Sequence, residues 1–211
     1  QTYPSSLMGT IALLRQTYYD AIWYEQVVGK KKRKAKEDKE YNISLDSWNQ
    51  LQDLPQIFEV LDRLSVVRAD KIGDEFKVQY IIKGTGDEYQ RLEAMKATGA
   101  SFIIPLKFPD AYDVEDPFDA LNVALSTMKH WELAPSNPAM MTKAGINIAF
   151  TTNGLKSPKD MMGALQKAIK RGLTKEEALK ALTYTPAQML GLEKIVGSLQ
   201  KGQMANFLVT S

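Results

Sequence analysis

The chain has 211 residues, of which 44% are hydrophobic and 25% are charged, and its formal net charge is +2. This composition is typical of one globular unit with a sizeable core, and the balanced charge predicts neither a nucleic-acid nor a membrane partner. No cysteine and a single histidine, His130, are present, which excludes disulfides and argues against a self-contained zinc site of several histidines. Because the chain begins at Gln1 and shows no signal-peptide pattern, we expect a processed chain or a piece of a longer one.

The N-terminal segment combines an amphipathic pattern with a charge run. Behind Pro4 and Ser5, helical spacing predicts one long helix over residues 5–28, with apolar positions at Leu7, Ile11, Leu14, Tyr18 and Ile22. The sequence KKKRKAKEDKE at 30–40 then mixes both charges. We interpret it as a solvated helix end or loop, with a phosphate-binding patch as the alternative.

Four apolar runs further along are predicted to be strands, and each is followed by a predicted helix. The runs are PQIFEV (55–60), VQYIIKG (78–84), SFIIPLKF (101–108) and INIAFTTNG (146–154). The helices are predicted over 62–76, 87–98, 117–132, 158–172 and 176–191, three of them with cap signals at Asp116–Pro117, Ser157–Pro158 and Thr174 with Glu177. Unalternating strands that alternate with helices indicate a parallel sheet, either part of a (β/α) barrel or a doubly wound fold.

Neither common phosphate-binding fingerprint is present. GxGxxG and the P-loop are both missing, and GTG at 84–86 is too short to indicate a phosphate cradle, so we interpret it as a turn. The residues therefore predict a fold class more firmly than a function.

The C-terminal third resembles a known family. AGINIAFTTNG, followed by GLTKEEALKALT, TPAQMLGL and GSLQKGQMANFLV, is similar in order and spacing to the end of the amidohydrolase superfamily, in particular the imidazolonepropionase-like metal-dependent hydrolases, over Ala144 to Val209. The stretch LPQIFEVLDRLSVVRADKIGDEFKVQYIIKG is similar, with weaker identity, to the fifth and sixth barrel strands of that family.

The resemblance implies a fold, an activity and a missing part. Residues 1–190 would form the C-terminal half of a TIM barrel, about strands five to eight, and residues 191–211 would begin the return to a small β-sandwich. Strands one to four, with the family's His-x-His pair, would lie before Gln1. The family uses zinc or another divalent metal to hydrolyse C–N bonds in cyclic amides or small peptides. The likeness also suggests a bacterial protein of the cytoplasm or periplasm.

Three positions carry the resemblance to the family's active site, and all three are substituted. The fifth-strand histidine ligand falls on Glu59, the sixth-strand position on Lys83, and the eighth-strand aspartate on Asn153. An amide cannot deprotonate a metal-bound water, and an ammonium repels a divalent cation. We therefore expect a degenerate, metal-free site in which Glu59 and Lys83 form an ion pair, and no cofactor held by this piece.

Structural alternatives exist for each of these residues and for two others. Asn153 could be a turn residue, with Thr152 as the true counterpart, and Lys83 could point to solvent. His130 is predicted to cap or pack a helix rather than bind metal. An acid cluster after the third strand could bind calcium, but a solvated loop is favoured; it comprises Asp110, Asp113, Glu115 and Asp116.

Two functions stay open at this point. The first is a metal-dependent hydrolase whose ligands come partly from upstream; the second is a non-catalytic barrel domain that binds a small molecule or acts as a scaffold. Four β/α units cannot close an eight-stranded barrel. We therefore expect the chain to associate with the missing N-terminal half of the barrel or with a second copy of itself.

Overall fold

A computed structural model describes residues 4–28, 41–207 and 209, so the charge run at 30–40 lies outside the described residues. Helices and strands alternate along most of the chain. The strands are β1 (Ile57–Glu59), β2 (Ile81–Lys83), β3 (Phe102–Pro105) and β4 (Ile148–Thr151). The α-helices are α1 (Leu7–Val28), α2 (Ile43–Gln50), α3 (Arg63–Phe76), α4 (Leu92–Ala97), α5 (Pro117–Asn122), α6 (Leu125–Leu133), α7 (Asn137–Lys143), α8 (Met161–Lys170), α9 (Lys175–Leu182) and α10 (Tyr184–Met189).

The four strands form one parallel sheet in the order β1-β2-β3-β4, which confirms the predicted parallel sheet. Glu59 pairs with Lys83, and Lys83 with Ile103, so one row of residues crosses the first three strands. Each strand follows its neighbour along the chain through a helical connection, which is the β/α repeat expected from the sequence.

Helices cover one face of the sheet. Alternate strand residues point to the same side. Ile82, Phe102, Ile104 and Ile148 are buried in the main core, against side chains of the surrounding helices. The opposite face is unevenly buried: Ile57 is 53% exposed, and Lys83, Ile103, Pro105 and Thr151 are partly exposed, whereas Ile81 and Ala149 are buried.

Two predicted helices are each divided in the structure. The helix predicted over 117–132 separates into α5 and α6, because Val123 and Ala124 adopt extended backbone conformations. The helix predicted over 176–191 separates into α9 and α10 at Thr183, whose φ is −128°. The predicted caps are confirmed: Asp116 accepts from Phe118 N, and Thr174 and Glu177 form a capping box.

The ends of the chain add detail to this architecture. In α1 the predicted positions Ile11, Leu14 and Tyr18 pack in or against the main core, whereas Leu7 and Ile22 are exposed. Ala21 and Tyr24 are buried in addition. After α10, residues 191–207 contain turns and no helix or strand, and the start of a β-sandwich there stays a prediction. Among the described residues, no helix has both the length and the apolar content needed to cross a bilayer.

Candidate active face of the partial barrel

The carboxyl ends of β1 and β2 bring Glu59 and Lys83 together. The two residues are paired in register, and Lys83 Nζ donates to Glu59 Oε1 at 2.8 Å. The Lys83 side chain is 25% exposed and that of Glu59 is 65% exposed. The ion pair expected from the sequence is present, and it lies at the end of the sheet where barrel enzymes place their chemistry.

Asn153 lies apart from this pair. It is exposed and stands two residues beyond the end of β4, in a turn closed by the hydrogen bond from Leu155 N to Thr152 O. Gly154 in that turn has a φ of +82°, a conformation that favours glycine. No hydrogen bond in the described residues joins Asn153 to Glu59 or Lys83, so the structure brings together two of the three predicted site residues.

A buried carboxylate organises the loop after β2. Glu88 is completely buried, and its carboxylate accepts from Thr85 N at 2.8 Å, from Gly86 N at 3.1 Å and from Asn137 Nδ2 at 2.7 Å. A Cβ on Gly84 would overlap the same carboxylate. The backbone donors that could have cradled a phosphate at GTG therefore bind the protein's own side chain, in agreement with the predicted turn.

This loop was not predicted as a functional element, although one signal was visible. Two acids, Asp87 and Glu88, directly follow the GTG turn, and the buried backbone N–H groups of a turn need a hydrogen-bond acceptor. The partner Asn137 lies 49 residues away along the chain, at the start of α7, which was not predicted. Asn137 Oδ1 also accepts from Tyr89 N at 2.8 Å, so this amide fastens the β2 loop to α7.

His130 and the acidic loop take structural positions. The His130 ring stacks on Tyr89, and its Nδ1 lies 3.1 Å from the Tyr89 hydroxyl oxygen. Burial raises the pKa of the Tyr89 hydroxyl. Asp110, Asp113, Glu115 and Asp116 are exposed. Within the ranges that the structure describes, no three acidic or histidine side chains converge as metal ligands would.

The residues at the strand ends do not fit a divalent metal. Lys83 occupies a position that the resemblance assigns to the metal site, and its ammonium has no free electron pair for coordination. The Glu59 oxygen that could act as a ligand already accepts from that ammonium. A cation placed beside both groups would have to displace Lys83 and overcome its charge.

Comparison with known proteins agrees with this architecture. Residues 135–211 match the amidohydrolase family. A 97-residue segment is 34% identical to the imidazolonepropionase of Flavobacterium johnsoniae, covering 44% of this chain and 24% of that protein. The C-terminal part of this chain is therefore similar to the amidohydrolase superfamily.

Solved amidohydrolase structures define the fold more completely. An amidohydrolase from Thermotoga maritima superposes with a TM-score of 0.72 at 20% identity, over 96% of this chain and 50% of that chain. A second amidohydrolase gives a TM-score of 0.54 at 15% identity, over 77% of this chain and 39% of that one. The chain thus spans half of the Thermotoga protein and about a quarter of the imidazolonepropionase. Its four β/α units are part of a TIM barrel.

Proposed function

We propose that this amidohydrolase-like chain is a non-catalytic barrel domain that binds a ligand or acts as a scaffold, with an ion pair in place of the family's metal site. One observation carries the proposal: Lys83 donates to Glu59 at 2.8 Å where two adjacent parallel strands end. An ion pair satisfies both charges without a metal, whereas a metal at this position would leave the ammonium opposed to a like charge.

The position of Asn153 supports the same proposal. Its amide cannot take a proton from an attacking water at neutral pH, so the general-base role that the resemblance assigns to this position has no candidate side chain there. Asn153 sits in an exposed turn with Gly154, which gives it a structural role instead. Three substitutions at positions with one shared task are most simply explained by loss of that task.

A metal-dependent hydrolase of C–N bonds is the second candidate. The family resemblance supports it, since amidohydrolases usually use a divalent metal. In that case the ligands would come from residues outside this chain, and Glu59, Lys83 and Asn153 would line the pocket or contact the substrate.

Metal analysis distinguishes the two candidates. We expect the native protein, purified without chelators, to contain no stoichiometric zinc, iron or manganese by inductively coupled plasma mass spectrometry, even after incubation with zinc and desalting. A Lys83→Gln variant treated in the same way tests whether the ammonium is what excludes the cation. Near-stoichiometric metal in the unaltered protein would refute the proposal and favour the hydrolase.

We further propose that the less buried face of the sheet is covered in the native assembly. Its apolar residues include Ile57, which is 53% exposed, and Ile103, which is partly exposed. The remaining strands of a barrel would cover such a face, and a second copy of this chain is the other occupant. Light scattering on the 211-residue chain should show association, and a stable monomer that does not bind a hydrophobic dye would contradict this.

A further inference from the structure

A cleft separates the loop after β3 from the segment that follows β4. Its volume is about 440 Å³. Leu106, Lys107 and Phe108 form one wall, and the turn at Gly154 together with α8 forms the other. This volume is within the range of small-molecule sites, and the cleft opens at the carboxyl ends of the parallel strands.

The lining of the cleft is strongly basic. Four lysines face two aspartates there, and no arginine lines it; the lysines are Lys107, Lys156, Lys159 and Lys167, and the aspartates are Asp110 and Asp160. None of the four lysines forms an ion pair in the described part of the chain. Asp160 is already engaged, because it accepts from Ser157 N at 3.1 Å in the cap that precedes α8. Four lysines against two aspartates leave the lining with an excess of two positive charges.

Two glycines shape the cleft. Gly163 lies inside α8, where glycine costs about 1 kcal/mol relative to alanine. A Cβ at this position would meet nothing within 4 Å, so no packing contact requires a glycine, and the lack of a side chain there leaves the α8 wall of the cleft open. At Gly154 a Cβ would lie 3.0 Å from Lys107 Cδ, so the Lys107 chain runs across the bare backbone of the turn.

We propose that this cleft binds a small molecule carrying a phosphate monoester group. Lysine ammoniums are compact point charges that converge on the three oxygens of a phosphate, whereas a planar carboxylate is best matched by an arginine fork, which this cleft does not have. The excess of two positive charges balances a phosphate dianion. This inference goes beyond the proposed loss of the metal site and uses none of its residues.

Calorimetric titration of the native protein at low ionic strength tests the proposal with three probes. Phenyl phosphate should bind saturably at one site per chain, inorganic phosphate more weakly, and benzoate, which carries the same ring on a carboxylate, far more weakly than phenyl phosphate. Benzoate binding as tightly as phenyl phosphate would overturn the choice of phosphate. No saturable binding of either phosphate would overturn the site.

Two lysines on the same helix provide a matched pair. Lys167 lines the cleft, while Lys170, one turn later in α8, is exposed and does not. We expect Lys167→Gln to weaken phenyl phosphate binding roughly tenfold and Lys170→Gln less than about twofold, since both remove one charge but only one removes a contact. Equal effects would mean that only overall charge attracts the anion, and the site would be refuted.

Adding a side chain to the α8 wall of the cleft gives an independent test. Gly163→Leu places a side chain where the structure has open space, and helix propensity favours the change, so the fold should persist. Binding of phenyl phosphate should be lost. Met162→Leu, at an exposed neighbour that does not line the cleft, is the control and should bind normally. Unchanged binding in a folded Gly163→Leu variant would refute the cleft as the site.

Discussion

The coupling energy of the Glu59–Lys83 ion pair reports whether the surrounding sheet face is exposed to solvent. The perturbation is a double-mutant cycle that combines Lys83→Met and Glu59→Gln, two replacements of similar shape that remove one charge each. If the face is open to solvent, the 2.8 Å contact is screened because Glu59 is 65% exposed. Exposed pairs of this kind contribute about 0.2–1 kcal/mol, so we expect a coupling energy of about 0.5 kcal/mol that decreases with added salt.

A covered face predicts a different value. If the rest of the barrel or a second copy packs over the pair, each single variant leaves an unpaired charge away from water, which costs about 3–5 kcal/mol. The free energy of unfolding, from urea denaturation of the isolated 211-residue chain and of the native protein, should then give a small coupling in the former and a much larger one in the latter.

A second ion pair serves as the control. Arg171 and Glu132 are joined at 2.7 Å, with side-chain exposures of 44% and 51%, and both lie on helices or their ends rather than on the sheet. Their coupling should be equal in the two preparations. A Glu59–Lys83 coupling of zero at low salt in both would refute the reasoning that this pair replaces a metal site, because the two charges would then not stabilise each other.

Three further predictions concern the scaffold around the site. Glu88→Gln replaces an acceptor with a donor opposite Gly86 N and Asn137 Nδ2, so the free energy of unfolding should fall by about 2–4 kcal/mol, against no measurable change for the exposed Glu93→Gln. The Ser65 N–H holds the pKa of Asp62 below its usual range, so its stabilisation is present above about pH 4 and is lost as the pH falls through the folded pKa. Asp62→Asn should therefore flatten the acid side of the Tm profile. Tyr80→Phe removes a buried hydroxyl 2.6 Å from the Tyr18 hydroxyl and should cost about 1 kcal/mol by urea denaturation.

The sheet and most helices could be predicted from the sequence because their signals are local. Apolar runs of β-branched residues preceded helical patterns with cap residues, and parallel pairing follows from that alternation. The break at Val123 could not be predicted, because helical patterning continues across it and only the backbone conformation changes. The break at Thr183 had a signal that the prediction did not use: Pro186 lies inside the predicted helix, and a proline interrupts or ends a helix near its own position. The helices α2 and α7 were missed for another reason: each is only two turns long and carries little periodicity.

The candidate site was predictable only in part. Glu59 and Lys83 could be placed together because both end neighbouring parallel strands, and register then brings them level. The Glu88–Asn137 contact depends on how α7 packs beneath the β2 loop, which no spacing in the sequence encodes. The cleft is another such case, since Lys107 and Lys167 line the same space only once the β3 loop and α8 are folded.

The charges on this end of the sheet connect the two proposals. Lys83 is the last residue of β2 and Lys107 follows the adjacent β3, and the cleft adds three further lysines on one side. The electrostatic potential at this face therefore disfavours a divalent cation and favours an anion. The amidohydrolase resemblance concerns the fold. The positive charge at this face comes from Lys83, which replaces a residue of the family's metal site, and from the lysines of the cleft. The two ideas nevertheless rest on different groups: metal exclusion depends on Lys83 and Glu59, and anion binding on Lys167 and Gly163. A protein that binds zinc could still bind phenyl phosphate in the cleft, so either proposal can fail while the other stands.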